Sequence, residues 1–153
     1  MLRFSILATV IALGACSGPS FDDQLAGTWD CKPEAPNPDT TMDYTLTYNR
    51  DGEITGEMVF EQENEEAKST LRGTLAGTWS YDGKKLDHKM TETFKDLTVN
   101  GELVPREEVN PEIIANFRSE DSYDDPVDLK DGKLIWYNDP ERTQIGVECT
   151  KRS

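Results

Sequence analysis

The chain has thirty acidic residues but a single histidine, and few of its residues lie in a pattern typical of acid–base or nucleophilic catalysis. The one histidine, His88, lies in an alternating stretch that also contains Glu92. On one face of a strand these two side chains would be about 13 Å apart, at about 3.3 Å per residue, which is too far for a direct pair. The sequence contains no Gly-x-Ser-x-Gly, Walker or dinucleotide-binding glycine pattern. We therefore predict that the protein is not an enzyme and has no catalytic residues.

Metal binding has equally little support in the sequence. A zinc site of the usual composition needs more ligands than one His and three widely separated Cys provide. The acidic stretch at residues 120–125 (EDSYDD) offers the clustered oxygen ligands that Ca²⁺ prefers, but it lacks EF-hand spacing and Pro126 follows it directly. We expect a solvated loop there, and we predict no metal and no cofactor.

The first cysteine, Cys16, follows an apolar N-terminal stretch. Arg3 precedes a mostly apolar run at residues 4–13 (FSILATVIAL), which has the length of a signal-peptide core and is too short to span a bilayer as a helix. The run ends in Leu13-Gly14-Ala15-Cys16, which resembles the lipobox of bacterial lipoproteins. The resemblance implies cleavage before Cys16, a diacylglyceryl group on its thiol and acylation of the new amine. A plain secretory signal with a coincidental cysteine is the alternative.

The lipobox resemblance also implies an address in the bacterial cell envelope. We expect residues 1–15 to be a signal peptide, residues 16–24 a flexible tether and residues 25–153 one domain. If the source is Gram-negative, the lipobox resemblance with Ser17 after Cys16, rather than Asp, implies the outer membrane, with the protein facing the periplasm. Because one acyl chain anchors a protein only marginally and two or more anchor it stably, Cys16 is the expected site of membrane attachment through palmitate.

The charge of the chain restricts its partners. Thirty acidic residues against sixteen basic ones give a net charge of −14, and removal of the signal peptide with its Arg3 makes the charge −15. Such a surface repels nucleic acid and anionic headgroups, so we predict no nucleic-acid partner. A basic protein is compatible with it, although a solvated acidic surface without a partner explains the composition equally well. Three Trp and five Tyr argue against disorder.

The two remaining cysteines, Cys31 and Cys149, lie near the two ends of the expected domain. An exported chain folds in a compartment where disulfides form and persist. We predict that these cysteines pair and close a loop of more than a hundred residues. Two buried free thiols are the alternative.

Alternation of apolar and polar residues through most of the domain is typical of strands with one buried face. Three Asp-Gly turns, Asp51-Gly52, Asp82-Gly83 and Asp131-Gly132, join adjacent alternating stretches and predict an antiparallel meander. In the last strand Ile145, Val147 and Cys149 share one face, which should point inward with Trp29 and Cys31 of the first strand.

One segment does not follow this alternation. Asn110-Pro111-Glu112 supplies an N-cap, a proline in the first turn and an acidic residue, and apolar residues follow at helical spacing. The pattern predicts a short helix over residues 111–118, laid across the sheet or over one end of it. Residues 104–108 and 119–126 are predicted loops.

Three motifs in order resemble the lipocalin-like lipoproteins of bacteria. Gly27-Thr28-Trp29 is similar to the Gly-x-Trp motif of lipocalins, the hairpin at residues 51–56 follows it, and a second Gly-Thr-Trp begins the stretch at residues 77–86. The resemblance implies an all-β, antiparallel up-and-down barrel of about eight strands, here with one short helix, in which Trp29 packs at the closed end. Residues 97–126 have no counterpart in the family, and Arg142 is the candidate for the arginine that many lipocalins stack on this tryptophan.

A barrel of this size is either filled by its side chains or holds one small ligand. The candidate ligand-binding residues are the aromatic side chains and the histidine expected to face inward, namely Trp29, Tyr44, Tyr48, Trp79, Tyr81, His88 and Trp136. Large inward aromatics favour filling, and a cavity is the alternative. His88 is either a polar anchor in that cavity or a histidine hydrogen-bonded at the barrel rim.

Two functions fit these features. The first is a lipid-anchored module that binds a small apolar ligand. The second is a surface-acting interaction protein, such as a lysozyme or protease inhibitor or an envelope assembly factor. An acidic protein suits a basic enzyme such as lysozyme electrostatically. The bacterial lysozyme-inhibitor lipoproteins are similar in size, lipobox and terminal disulfide, but their inhibitory loop has no counterpart here.

Overall fold

A computed structural model describes residues 18–33, 38–117 and 120–153, with the side chains of Glu120 and Asp121 left aside. The predicted signal peptide and the predicted lipid-attachment site Cys16 lie outside the described residues.

Strands dominate the described chain. In order, the elements are α1 (Phe21–Leu25), β1 (Gly27–Pro33), β2 (Thr40–Tyr48), β3 (Glu53–Glu63), β4 (Lys68–Tyr81), β5 (Lys85–Val99), β6 (Glu102–Leu103), a 3-10 turn (Arg106–Glu108), α2 (Pro111–Asn116), β7 (Glu120–Lys130), β8 (Lys133–Tyr137) and β9 (Ile145–Lys151).

Eight of the strands form a closed antiparallel barrel. The hydrogen-bonded order is β4-β3-β2-β1-β9-β8-β7-β5, and β4 also pairs with β5, which closes the ring. The short β6 pairs only with β5 and lies outside the ring. All three predicted Asp-Gly hairpins are confirmed, and their glycines take the positive φ that such turns require. The structure confirms the predicted all-β barrel, and its architecture is compatible with a lipocalin-like fold.

The acidic segment after the helix is a strand and not the predicted loop. Residues 119–126 were expected to be solvated, but β7 begins at Glu120 and pairs with β5 on one side and β8 on the other. One edge of β5 pairs with β4. Along the first half of β5 the other edge pairs with β7, for example His88 with Tyr123. Tertiary pairing therefore overrides the weak strand propensity of an Asp-rich sequence.

The helices also differ from expectation. Residues 21–24 were assigned to a flexible tether, but they form most of α1, whose N-cap Ser20 accepts a hydrogen bond from the Asp23 N–H. The predicted helix after Asn110 is confirmed as α2, which ends at Asn116, and the Asn110 side chain caps it through the Glu112 N–H. Among the residues that the structure describes, the barrel therefore carries two short α-helices where one was predicted.

The end of the barrel that carries α1 is closed by packed side chains. Trp29 and Leu25 are fully buried there, and the Trp29 indole N–H donates to the Leu25 carbonyl at 2.7 Å. The Lys151 ammonium lies 5.3 Å from the Trp29 ring centroid and donates to the Gln24 carbonyl. The candidate Arg142 does not stack on this tryptophan, since it pairs with Asp128. A lysine on the last strand supplies the cation over this tryptophan.

The predicted disulfide between Cys31 and Cys149 is confirmed. The two residues lie directly opposite each other on β1 and β9, and both are at most 1% exposed. The bond joins the first and last strands of the barrel across 118 residues of sequence.

The inward face predicted for the last strand is correct only in part. Cys149 is buried and Val147 is half-buried, but Ile145 is 47% exposed. The pairing of β8 with β9 shifts register between Trp136 and Tyr137, where Gly146 is the extra residue. A bulge at Gly146 therefore reverses the alternation and turns Ile145 outward.

At the opposite, open end of the barrel, α2 and the 3-10 turn cover the β4–β5 wall. Phe117 packs edge-to-face on Phe94 with ring centroids 6.0 Å apart, and the Arg106 guanidinium lies over the same Phe94 ring. Phe117 also sits against Gly73, where a larger residue would clash with its ring. This segment therefore fills one side of the open end.

Candidate functional site

A cavity of about 230 Å³ lies inside the barrel, between the packed closed end and the open end. The cavity reaches the open end, because its lining includes Pro33, the last residue of β1, and Asn138, which follows the last residue of β8. The full set of lining residues is Pro33, Tyr44, Leu46, Leu75, Met90, Glu92, Tyr123, Asp125, Trp136, Asn138 and Val147. The volume is below the range of about 300–1,000 Å³ typical of drug-sized ligands, so only a small ligand fits.

Most of the cavity wall is apolar or aromatic. Leu46, Leu75 and Met90 are buried residues from three different strands, and they form its apolar floor. Tyr44 and Trp136 are half-buried, while Tyr123 is 42% exposed. This combination of apolar surface with a few polar groups is the usual composition of a small-molecule site.

Two carboxyl groups face the cavity, from Glu92 on β5 and Asp125 on β7. Desolvation by burial raises the pKa of Asp125, and the neighbouring negative charge of Asp124 raises it further. Lys85 opposes this rise weakly, because its ammonium is held by Asp124 at 2.6 Å on the outer face.

His88 lies beside the cavity among aromatic side chains. It is 1% exposed, and its Nε2 is 2.9 Å from the Tyr48 hydroxyl. Its ring centroid is 4.9 Å from that of Trp136. Burial lowers the pKa of His88 to about 4, so the imidazole is neutral at physiological pH.

Two buried nitrogens next to the cavity have no hydrogen-bond partner among the described residues. They are Nδ1 of His88 and Nε1 of Trp136. Buried polar atoms are nearly always paired in native proteins, with protein groups or with ordered water. The two nitrogens belong to rings whose centroids are 4.9 Å apart, and Trp136 lines the cavity.

The structure divides the predicted ligand-binding residues into two groups. Tyr44 and Trp136 line the cavity, and His88 contacts Trp136 behind it. The other four belong to the packed closed end, namely Trp29, Tyr48, Trp79 and Tyr81. Tyr81 stacks on Phe21 of α1, and the Trp79 indole N–H donates to the Asn49 carbonyl in a turn at that end. The interior is thus filled by side chains in one half of the barrel and contains a cavity in the other half.

Sequence reasoning missed the β7 contribution to the cavity. Tyr123 and Asp125 were assigned to a solvated loop, so neither was a candidate for the interior. The alternation of Tyr123, Asp125 and Val127 could have indicated a strand, but the intervening acidic residues obscured it. Asn138 follows the end of β8, and no pattern in the sequence singles it out.

The acidic stretch does not gather its carboxylates into one place. Because β7 is a strand, Asp124 points outward to Lys85 while Asp125 points inward. Among the described residues, no group of three or more His, Cys, Asp or Glu side chains is arranged to hold a metal ion.

No protein-family model matches this chain, and no curated protein or solved structure is significantly similar to it. What the barrel and its cavity define is therefore a class of architecture, a small eight-stranded antiparallel barrel with a partly hollow interior. In the described part of the chain, no helix has the length and apolarity needed to cross a membrane.

Proposed function

We propose that this protein is a lipid-anchored lipoprotein of the bacterial envelope whose lipocalin-like barrel binds a small, largely apolar ligand. The observation that carries the proposal is the cavity of about 230 Å³ inside the barrel, with its apolar floor and aromatic walls. A barrel filled throughout by side chains has no such space. The role proposed is binding and not catalysis.

The lipobox resemblance supplies the anchored part of the proposal. The acylated Cys16 would hold the protein at the membrane, in the outer membrane facing the periplasm. Ser20 caps α1, which lies at the closed end, so the tether from Cys16 to Ser20 reaches about 14 Å at most. The closed end would then face the bilayer and the cavity would open away from it.

The anchor is tested by palmitate labelling of the full-length protein expressed in a Gram-negative host. Label is expected in the wild-type protein and is expected to be lost in Cys16→Ala. Cys31→Ala with Cys149→Ala is the matched control, because it removes two cysteines and leaves the lipobox intact. Label that persists in Cys16→Ala would disprove lipidation at this residue.

Ligand binding is tested by native mass spectrometry of the Cys16→Ala protein purified from the periplasm. A bound small molecule is expected, and it should be lost in Leu75→Trp, which fills the cavity from β4. Thr74→Trp places the same side chain on the outer face of the same strand and should leave the ligand in place.

Two results would contradict the binding role. A clean apo mass for the wild-type barrel is one, and a ligand retained in a folded Leu75→Trp protein is the other. If the barrel is empty and inhibits a basic enzyme such as lysozyme in a salt-sensitive way, the protein acts through its acidic surface.

A further inference from the structure

We propose that the cavity selects an organic cation, a small amine with an apolar body whose nitrogen lies against the Asp125 carboxylate. This inference rests on the proposed function of the cavity as a ligand site, and it specifies the chemical class of the ligand.

The charge of the cavity wall is one-sided. The described lining residues include two carboxylates, Glu92 and Asp125, and no Lys, Arg or His. Glu92 has an interaction of its own, so the argument rests on Asp125. Among the described residues, Asp125 makes no hydrogen bond or ion pair. The nearby Lys85, whose charge opposes the rise in the Asp125 pKa, is bound by the adjacent Asp124 at 2.6 Å on the outer face.

The carboxyl group of Asp125 lies in an environment that disfavours its charge. Burial and the neighbouring Asp124 both raise its pKa, and among the described residues the charge of Lys85 offsets this rise only in part. Asp125 is half-buried, and a carboxylate that loses part of its hydration gains from a positively charged partner. A cationic ligand would provide this missing partner at the same place where it gains apolar contacts.

The aromatic walls suit the same kind of ligand. Tyr44, Tyr123 and Trp136 bring three aromatic rings to the cavity. The faces of Tyr and Trp rings attract ammonium groups, because the ring quadrupole places negative charge there. The apolar floor made by Leu46, Leu75 and Met90 would accept the remaining part of the molecule.

The charge of the whole protein acts in the same direction. With a net charge of −14, the surface raises the local concentration of small cations and lowers that of anions. An anionic amphiphile such as a fatty acid would meet repulsion both on approach and at Asp125. A neutral ligand would gain the apolar contacts only.

The test is isothermal titration calorimetry with three probes that share a phenyl ring and a short chain. They are 2-phenylethylamine, 2-phenylethanol and 3-phenylpropionate, which are cationic, neutral and anionic at pH 7. The Cys16→Ala protein, whose cavity is unchanged and which serves as the reference below, is expected to bind the amine at least about tenfold more tightly than the alcohol, in line with a charge-assisted contact. The anion is expected to bind more weakly than either.

Two neighbouring variants separate the cavity from general electrostatics. Asp125→Asn and Asp124→Asn each remove one negative charge, but only Asp125 lines the cavity. Asp125→Asn is expected to weaken amine binding about tenfold and to leave alcohol binding unchanged. Asp124→Asn is expected to change amine binding by less than about twofold, because its charge is exposed and paired with Lys85.

The possible outcomes separate this inference from the proposed function. Equal affinity for the amine and the alcohol in the reference protein would overturn the cation selectivity and leave a ligand-binding cavity in place. Equal losses in both Asn variants would assign the preference to surface charge, which also overturns it. Failure of all three probes to bind at millimolar concentration would count against the cavity as a ligand site. The comparison of amine with alcohol is made on the reference protein, so it does not depend on whether either Asn variant folds.

Discussion

His88 combines a titratable ring with nearly complete burial, and this makes it the most informative single residue. Its Nε2 lies 2.9 Å from the Tyr48 hydroxyl, and the Trp136 ring packs on its other side. The sequence placed His88 on the inward face together with Leu86 and Met90, and the structure confirms that placement. Its protonation state depends on packing by Tyr48 and Trp136, which come from distant parts of the chain.

We predict that His88 does not titrate at neutral pH. Burial lowers its pKa to about 4, and it is the only histidine, so its imidazole signal is unambiguous. Proton–carbon NMR of the folded protein is expected to show constant His88 shifts from pH 8 to pH 5.5. A midpoint near the ordinary value of about 6.5 would contradict the burial seen here.

The same burial predicts a pH dependence of stability. Because the pKa of His88 is lower in the folded state than in the unfolded state, the unfolded chain binds the extra proton between about pH 6.5 and pH 4. Stability is therefore full above pH 6.5 and falls as the pH falls through this window. Between pH 7.5 and 4.5 the wild-type protein should lose about 2–3 kcal/mol more than His88→Gln in urea unfolding. Equal losses in the two proteins would show that His88 has no part in this effect.

Lys151 is the second residue whose role only the structure reveals. Its ammonium lies over Trp29 and donates to the Gln24 carbonyl, so it connects the last strand to α1. We predict that Lys151→Met lowers the free energy of unfolding by about 1–2 kcal/mol, while Lys151→Arg largely preserves it. Lys133→Met is the control, since Lys133 makes only an exposed pair with Glu148. Equal effects at positions 151 and 133 would contradict a specific contact with Trp29.

At the scale of elements, the turns and most strand positions could be read from the sequence. Alternation and the three Asp-Gly pairs are local signals, and they identify correctly the turns between β2 and β3, between β4 and β5 and between β7 and β8. The strand β7 was missed because its acidic residues have low intrinsic strand propensity. Its strand conformation depends on its neighbours β5 and β8, so pairing and not local sequence decides its structure.

The pairing of β4 with β5 depends on a close backbone approach at Gly77. A Cβ at this position would overlap the Lys89 carbonyl oxygen and the Met90 Cα on the neighbouring strand. We predict that Gly77→Ala destabilises the protein by about 1–3 kcal/mol in chemical denaturation. Gly18→Ala, where an added Cβ meets nothing within 4 Å, should have no measurable effect. Wild-type stability in Gly77→Ala would mean that β4 and β5 are less tightly paired than described.

At the scale of the whole molecule, the Cys31–Cys149 disulfide fastens the closure of the barrel. The two cysteines are opposite each other on β1 and β9, so the bond joins the first and last strands. Beneath the cavity the closed end is filled by aromatic side chains, and above it the strands β1 and β8 are short. Because one end of the barrel is packed and the strands β1 and β8 end early at the other, a cavity remains inside an otherwise packed barrel.

Removal of this bond should be costly. The closed loop exceeds a hundred residues, for which loop-closure entropy in the unfolded chain gives about 4–5 kcal/mol. We predict a loss of about this size in the double variant Cys31→Ala with Cys149→Ala, measured by urea unfolding. Cys16→Ala is the matched control and should unfold like the wild-type protein. Two thiols that can be alkylated in the native, non-reduced protein would contradict the pairing.

The sequence by itself determined the local features of this protein, namely the lipobox-like N-terminus, the hairpin turns, the short helix after Asn110 and the alternation that makes an all-β domain. These follow from the chemistry of neighbouring residues, which a single stretch of chain already contains. Only the tertiary structure decided that β7 is a strand, that Ile145 faces outward, that Lys151 covers Trp29 and that a cavity of about 230 Å³ remains between the closed end and the open end of the barrel. Each of these depends on residues far apart in sequence, because pairing register and packing volume are set by the partner strand.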